Sequence, residues 1–182
     1  KARRCRVLRQ DGGVIRFAAN LGFLWTDRPL ADAIVAAAAA GFDAVECHMP
    51  YTHQPAVVAE ALAETGLTMI CLNTDHSGPE CGLGAVQGRA AEARDHVDQA
   101  MAYAAAIGCL AVHVMAGQTD RSPDSEDAYL STLTYAVERA TEHDLKVLIE
   151  PITHTAIDGY HLRTVTEALA TLGSLAAAGV TD

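Results

Sequence analysis

The sequence predicts an α/β fold built on a parallel sheet, and three observations carry the prediction. Five short runs rich in β-branched and apolar residues, at 14–21, 43–49, 67–73, 110–115 and 146–150, alternate with five Ala/Glu/Leu-rich stretches of helical spacing. The helical stretches fall near 29–40, 54–65, 88–107, 124–143 and 161–172, so each strand is returned to the sheet by a helix, the long path that parallel pairing needs. Composition does not shift along the alternation, and half of the 182 residues are apolar, enough for one domain with a real core.

Each element has a local reason. In "VIRFAANL" (14–21), Phe17, Ala19 and Leu21 share the face that packs on helices, which turns Ala18 and Asn20 inward. Pro29 and Pro55 suit the first turns of the first two helices, and Gly41, Gly66 and Gly108 suit helix ends where φ turns positive. The stretch Ala36–Ala40 predicts a tightly packed helix face. In the second run Val45 and Cys47 point outward, Glu46 and His48 inward; in the fourth, Val112 and Val114 leave His113 inward. The fifth run, "KVLIE", turns Leu148 and Glu150 inward and is stopped by Pro151, which has no N–H to continue a ladder.

Two folds fit this pattern, an open doubly wound sheet and a (β/α)₈ barrel. A dinucleotide-binding sheet wants GxGxxG after the first strand, and the sequence there is "NLGFLWTD". A barrel gathers its chemistry where the C-terminal ends of its strands meet. Asn20, Glu46, His113 and Glu150 are delivered to one such mouth. Glu150 stands out, because a nearly buried carboxylate is costly unless it is paired or holds a metal. It is expected to be a ligand or a base.

Charge narrows the partners. Five basic residues stand in the first nine, leaving eight of the 13 Lys and Arg against all 23 Asp and Glu. Phosphate neutralisation needs a basic surface, so no nucleic-acid partner is expected. Residues 1–13 read as a basic, disordered extension and 14–182 as the domain. No apolar stretch is long enough for a bilayer, no secretory signal follows the basic start, and the five cysteines form no CxxC pair. A reduced cytoplasmic protein without membrane contacts is expected.

The stretches "RFAANLGFLWTDRPLADAIVAAAAAGFDAVECHMPY" (16–51), "LNTDHSGPECGLGAVQGR" (72–89), "HVMAG" (113–117) and "LIEPITHTAIDGYHL" (148–162) resemble hydroxypyruvate isomerase. That enzyme belongs to the xylose-isomerase-like TIM-barrel superfamily, which also holds sugar epimerases and AP endonucleases. The resemblance implies a (β/α)₈ TIM-barrel type, here truncated to about five βα units. It implies interconversion of hydroxypyruvate and tartronate semialdehyde, or of a related 2-oxo acid or sugar, with a divalent metal, Mg²⁺ or Mn²⁺. Glu150 matches the family's glutamate at the close of the fifth strand, both metal ligand and acid/base. By the same analogy His113 orients substrate, and Asn20 and Glu46 line the mouth, where a structural hydrogen-bond network is the alternative reading. Arg89 is a candidate for binding the substrate's carboxylate through its planar fork. His48, His76 and His154 have no counterpart in the resemblance.

Two departures matter. After the fifth strand the family reads E-P-x-N-x-R-D-x-P-G-Y, and here Thr153, Thr155, Ala156 and Asp158 replace the Asn, Arg, Asp and second Pro, while Gly159 and Tyr160 remain. The resemblance also stops with the fifth unit, before the strands that supply the family's other metal ligands and second glutamate. Impaired activity is therefore expected. Two alternatives to the isomerase are a non-catalytic remnant that self-associates through an exposed sheet edge, as a possible homo-oligomer, and an AP-endonuclease-like metal phosphoesterase.

Overall fold

The computed structural model describes residues 15–76 and 78–180; the predicted N-terminal extension and Cys5 lie outside them. Six short strands and five helices follow in the order β1 (Ala18–Asn20), α1 (Leu30–Ala39), β2 (Ala44–Glu46), α2 (Pro55–Thr65), β3 (Thr68–Met69), β4 (Leu72–Asn73), α3 (Ala90–Ile107), β5 (Ala111–His113), α4 (Pro123–His143), β6 (Lys146–Leu148) and α5 (Val165–Ala177). All pairings between these strands are parallel.

The third predicted run is divided. Its first half, β3, completes one sheet in the order β1-β2-β3, and its second half, β4, opens another in the order β4-β5-β6. Backbone hydrogen bonds carry the ladder across the division: the Ile70 N–H donates to the Val45 carbonyl at 2.8 Å, and the Asn73 N–H to the His48 carbonyl at 2.9 Å. On the other side the Leu110 N–H donates to the Met69 carbonyl at 3.1 Å. The spatial order of the five runs is therefore their chain order, as in the wall of a barrel.

Strand parity places the core. Ala19, Val45, Met69, Val112 and Val114 are essentially fully buried, in one apolar cluster with Ile34, Ala37, Val58, Val97, Met101 and Leu133 of the helices. Each such Val, Leu or Ile contributes about 1.5–3 kcal/mol on burial. Alanines at 33, 37, 100, 104 and 136 let helix backbones lie close to the sheet.

Local signals mostly act as expected. Gly66 and Gly108 close α2 and α3 in the left-handed region, and Gly41 does so one residue beyond the cap of α1. Pro55 opens α2, whereas Pro29 is the residue before α1, with extended ψ of 149°. The fifth helix begins at Val165 and not near 161, because Thr164 and Glu167 form a capping box and His161 and Leu162 are buried in the preceding loop.

Candidate active site

The mouth is assembled from the C-terminal ends of the strands. Asn20 and Glu46 face each other in the β1–β2 register, and the Asn20 Nδ2 donates to Glu46 Oε1 at 2.8 Å. The other end of that amide is also used: Asn20 Oδ1 accepts from the Gly22 N–H at 2.8 Å, which fixes the turn out of β1. Both functional ends of Asn20 are thus bound to protein.

His113 ends β5, paired with Asn73 on one side and Leu148 on the other. The chain beyond it is pinned from three directions. The Met115 N–H donates to Thr74 Oγ1 (3.0 Å), the Ala116 N–H to the buried Tyr160 hydroxyl (2.9 Å), and the Tyr129 hydroxyl to the Val114 carbonyl (3.2 Å). The loop 81–85 lies directly on this segment. A Cβ at Gly117 would stand 2.2 Å from the Gly82 carbonyl oxygen, and one at Gly82 2.6 Å from Met115 Cβ. Both glycines have positive φ.

His113 is 4% exposed, and its Nδ1 lies 3.5 Å from Glu150 Oε2. Burial first, then the neighbouring imidazoles of His76 and His48, push its pKa down to about 4, so the ring is neutral at pH 7. The structure corrects the expectation that Glu150 is buried: its side chain is 64% exposed. Pleat geometry does turn it to the side of His113, but β6 is an edge strand among the described residues and its inward face meets solvent. Leu148, on the same face, is exposed for the same reason. Glu150 is therefore not desolvated, and its position 3.5 Å from the buried His113 ring is what marks it at the mouth.

Two histidines with no counterpart in the resemblance join the mouth. His48 leaves β2 on the inward side; Phe23 meets its ring edge-on at 4.8 Å between centroids, and His76 meets it at 5.8 Å. Gly22 is what admits His48, since a Cβ there would stand 2.4 Å from its Nδ1. Burial lowers the pKa of both His48 and His76. The Nε2 atoms of His76 and His113 are buried without a hydrogen-bond partner. Strand parity was the signal for His48, whereas nothing in the loop "TDHSG" marks His76. A cavity of about 300 Å³ opens between the β1–α1 and β2–α2 loops, lined by Trp25, Arg28, His48, Met49 and His53 among others.

Arg89 does not join this group. Its guanidinium is held by Glu92 through Nε and Nη2 and by Glu80 through Nη1 (3.2 Å), so its fork is occupied by carboxylates of its own loop and helix. His154 is exposed. Cys47, Cys71, Cys81 and Cys109 are free thiols, and burial pushes Cys71 up to about 12 and Cys109 to about 11, far from thiolate chemistry.

The loop after β6 is secured by a second polar network. The His161 ring, buried, contacts Thr119 Oγ1 through Nδ1 (2.9 Å) and Glu126 Oε2 through Nε2 (3.0 Å). Thr119 Oγ1 also accepts from the Arg121 N–H, so its proton is free to go to Nδ1 and Nε2–H donates to the carboxylate. The Thr171 hydroxyl donates to the other oxygen of Glu126, tying α5 to α4. Thr153 and Thr155, at the family's Asn and Arg positions, are exposed and contact each other at 3.3 Å.

Comparison with known proteins agrees with this architecture. The Xylose isomerase-like TIM barrel family matches residues 34–181, and the chain belongs to that family. It is 39% identical over 153 residues to a 2-oxo-tetronate isomerase of Cupriavidus necator, covering 81% of this chain and 59% of that protein. It is 32% identical over 162 residues to hydroxypyruvate isomerase of Escherichia coli K12, covering 86% and 63%. A crystal structure of an AP endonuclease, family 2, from Brucella melitensis superposes with a TM-score of 0.83 at 33% identity, covering 88% of this chain and 64% of that one. The chain spans about 60% of the length of the curated relatives it matches.

Proposed function

We propose that this chain carries the mouth of an isomerase of the hydroxypyruvate type, with Glu150 as the base that moves a carbon-bound proton. The observation that carries the reading is the pairing of the Glu150 carboxylate with the neutral, buried His113 at 3.5 Å, on strand ends that face one mouth. The names of the relatives support the reaction class.

The chemistry asks for little more. Glu150 takes a proton from C3 of hydroxypyruvate, and the electron pair left behind forms a C2–C3 double bond while the C2 oxygen becomes an enediolate oxygen. Return of a proton to C2, with transfer of the hydroxyl proton from O3 to O2, gives tartronate semialdehyde. In the paired mechanism that the resemblance implies, one group removes the proton from C3 and a second, on the other face of the enediolate, returns a proton to C2. Among the described residues Glu150 is the acidic group that stands beside His113 with its carboxylate open to solvent, while Glu46 is held by Asn20. Net isomerisation by this chain is therefore slow relative to proton exchange.

Mg²⁺ or Mn²⁺ suits the donor chemistry, since Glu150 offers a hard carboxylate oxygen and such ions keep several waters when one or two carboxylates hold them. No group of three or more His, Cys, Asp or Glu among the described residues is arranged to hold a metal. Glu150 is thus the one ligand assigned here, and the ion when bound would stabilise negative charge on the substrate oxygens. The acidic composition argues against the AP-endonuclease alternative, because DNA phosphates require basic side chains.

A coupled reductase assay for tartronate semialdehyde, with hydroxypyruvate and Mg²⁺ or Mn²⁺, tests the proposal. Slow turnover that falls at least about a hundredfold in Glu150→Gln is expected. Equal turnover in both proteins overturns the role of Glu150, and turnover by neither overturns isomerisation by this chain.

A further inference from the structure

Glu150 lies beyond the end of β6, so something other than the sheet must hold its carboxylate beside His113. The Leu148 carbonyl accepts from the Val114 N–H at 3.0 Å, and among the described residues neither Ile149 nor Glu150 makes a backbone hydrogen bond. Pro151 has no N–H to give. The next fixed point is the Ile152 N–H, which donates to the Leu162 carbonyl at 2.9 Å. Glu150 is thus strung between Leu148 and Ile152, and the second anchor is only as firm as the chain at 161–162. His161 holds that chain, and its four hydrogen-bonding groups go to four different residues. Its N–H donates to the Gly117 carbonyl (2.8 Å), and its carbonyl accepts from Arg121 Nε (3.1 Å). Its ring meets the Thr119 hydroxyl through Nδ1 (2.9 Å) and the Glu126 carboxylate through Nε2 (3.0 Å). Gly117, Thr119 and Arg121 lie on the chain that leaves β5, the strand ending in His113, and Glu126 is in the first turn of α4. His161 is 5% exposed, so water does not replace these partners. Arg121 reaches it from φ of +59°, a conformation that a non-glycine residue keeps only where its surroundings over-determine it. Here the Thr119 hydroxyl takes its N–H and Glu167 takes its guanidinium.

We propose that His161 is a positioning residue for the Glu150 carboxylate: it ties the loop after β6 to the chain leaving β5, so the two strand ends that carry Glu150 and His113 are locked together beyond the sheet. The proposal rests on the isomerase reading of the mouth and adds the residue that fixes its base. A carboxylate that is 64% exposed has no packing of its own to set its direction, so the backbone anchors on either side set it. A displacement of about 1 Å from the reacting C–H costs a rate on the order of a hundredfold. The tie is separable from the general packing of the helices. Thr171 donates to the other oxygen of Glu126 and joins α5 to α4 without touching the loop.

The test compares the parent with His161→Leu, His161→Gln, Glu126→Ala and Thr171→Val by three readouts. These are the NOE between the His113 ring and the Glu150 side chain, hydrogen exchange of the Ile152 amide relative to the amides of β2, and deuterium uptake at C3 of hydroxypyruvate with Mg²⁺. His161→Leu is expected to lose the NOE, to exchange the Ile152 amide about tenfold faster, and to lower kcat about tenfold with KM nearly unchanged. His161→Gln keeps a donor for Glu126 and should recover part of the rate. Glu126→Ala leaves the ring in place with Nε2 unpaired, should move all three readouts in the direction of His161→Leu, and carries the test where His161→Leu does not fold. Thr171→Val should lower the urea midpoint and keep the parent's NOE and kcat, which is the result a purely structural role would give in all four variants. An NOE absent from the parent, or an NOE and kcat equal to the parent's in His161→Leu and Glu126→Ala, overturns the proposal. If those variants lose the NOE and no protein, parent included, takes up deuterium, the isomerase reading fails and the positioning stands. If uptake requires Glu150 and is indifferent to His161, this inference alone fails.

Discussion

At the scale of the residue, His113 shows how an environment fixes protonation. An unfolded histidine takes its proton near pH 6.5, whereas the buried ring refuses it until about pH 4. The unfolded chain therefore binds more protons than the folded one across this window, and stability that is full above pH 6.5 is lost as pH falls toward 4. The loss attributable to His113 is about 3 kcal/mol, with His48 and His76 acting in the same direction. Urea denaturation at pH 7 and pH 4.5 checks this: the parent should lose more stability between the two than His113→Gln does, and equal losses would count against it. Glu150 teaches the complementary lesson. Alternation along "KVLIE" gave its direction, but alternation says nothing about what covers that face, so the burial expected for it was not found. Arg89 was expected to offer its fork to the substrate's carboxylate, but its capture by Glu80 and Glu92 depends on a loop whose path has no period to read.

At the scale of the element, the loop over the exit of β5 depends on close backbone contact, and α5 does not. Gly117 has φ of +89° and no room for a Cβ against the Gly82 carbonyl. Gly173, inside α5, would place a Cβ in open space. Gly117→Ala should cost about 2–4 kcal/mol, and Gly173→Ala should stabilise by about 0.5–1 kcal/mol. Urea unfolding of the two variants beside the parent decides the matter, and similar effects for both would contradict the packing described here. The five βα repeats were legible because periods of two and 3.6 are strong signals, and helix ends were marked by Gly66, Gly108 and Pro55. The division of the third run at Ile70 and Cys71 was not, because it arises from neighbours on its two sides that lie far away in the chain. The place of His76 at the mouth was not legible for a similar reason, since a loop residue three positions past a strand reaches it only through tertiary contacts.

At the scale of the molecule, the sheet runs in chain order from β1 to β6, and both outer strands present open edges among the described residues. Val165, Leu169 and Leu172 form an exposed apolar stripe on α5, close in sequence to the open edge. No helix among the described residues is long and apolar enough to cross a membrane. What joins fold to function is the mouth, where the Glu150 carboxylate stands beside the neutral His113 ring, with His48 and His76 close by. Proton exchange at carbon is the elementary step that the proposed function asks of Glu150. The most direct measurement is ¹H NMR of hydroxypyruvate in D₂O with Mg²⁺, following loss of the C3 proton signal. The account predicts protein-dependent deuterium incorporation that falls at least about a hundredfold in Glu150→Gln; incorporation at the same rate in both proteins, or none above the metal alone, would contradict it.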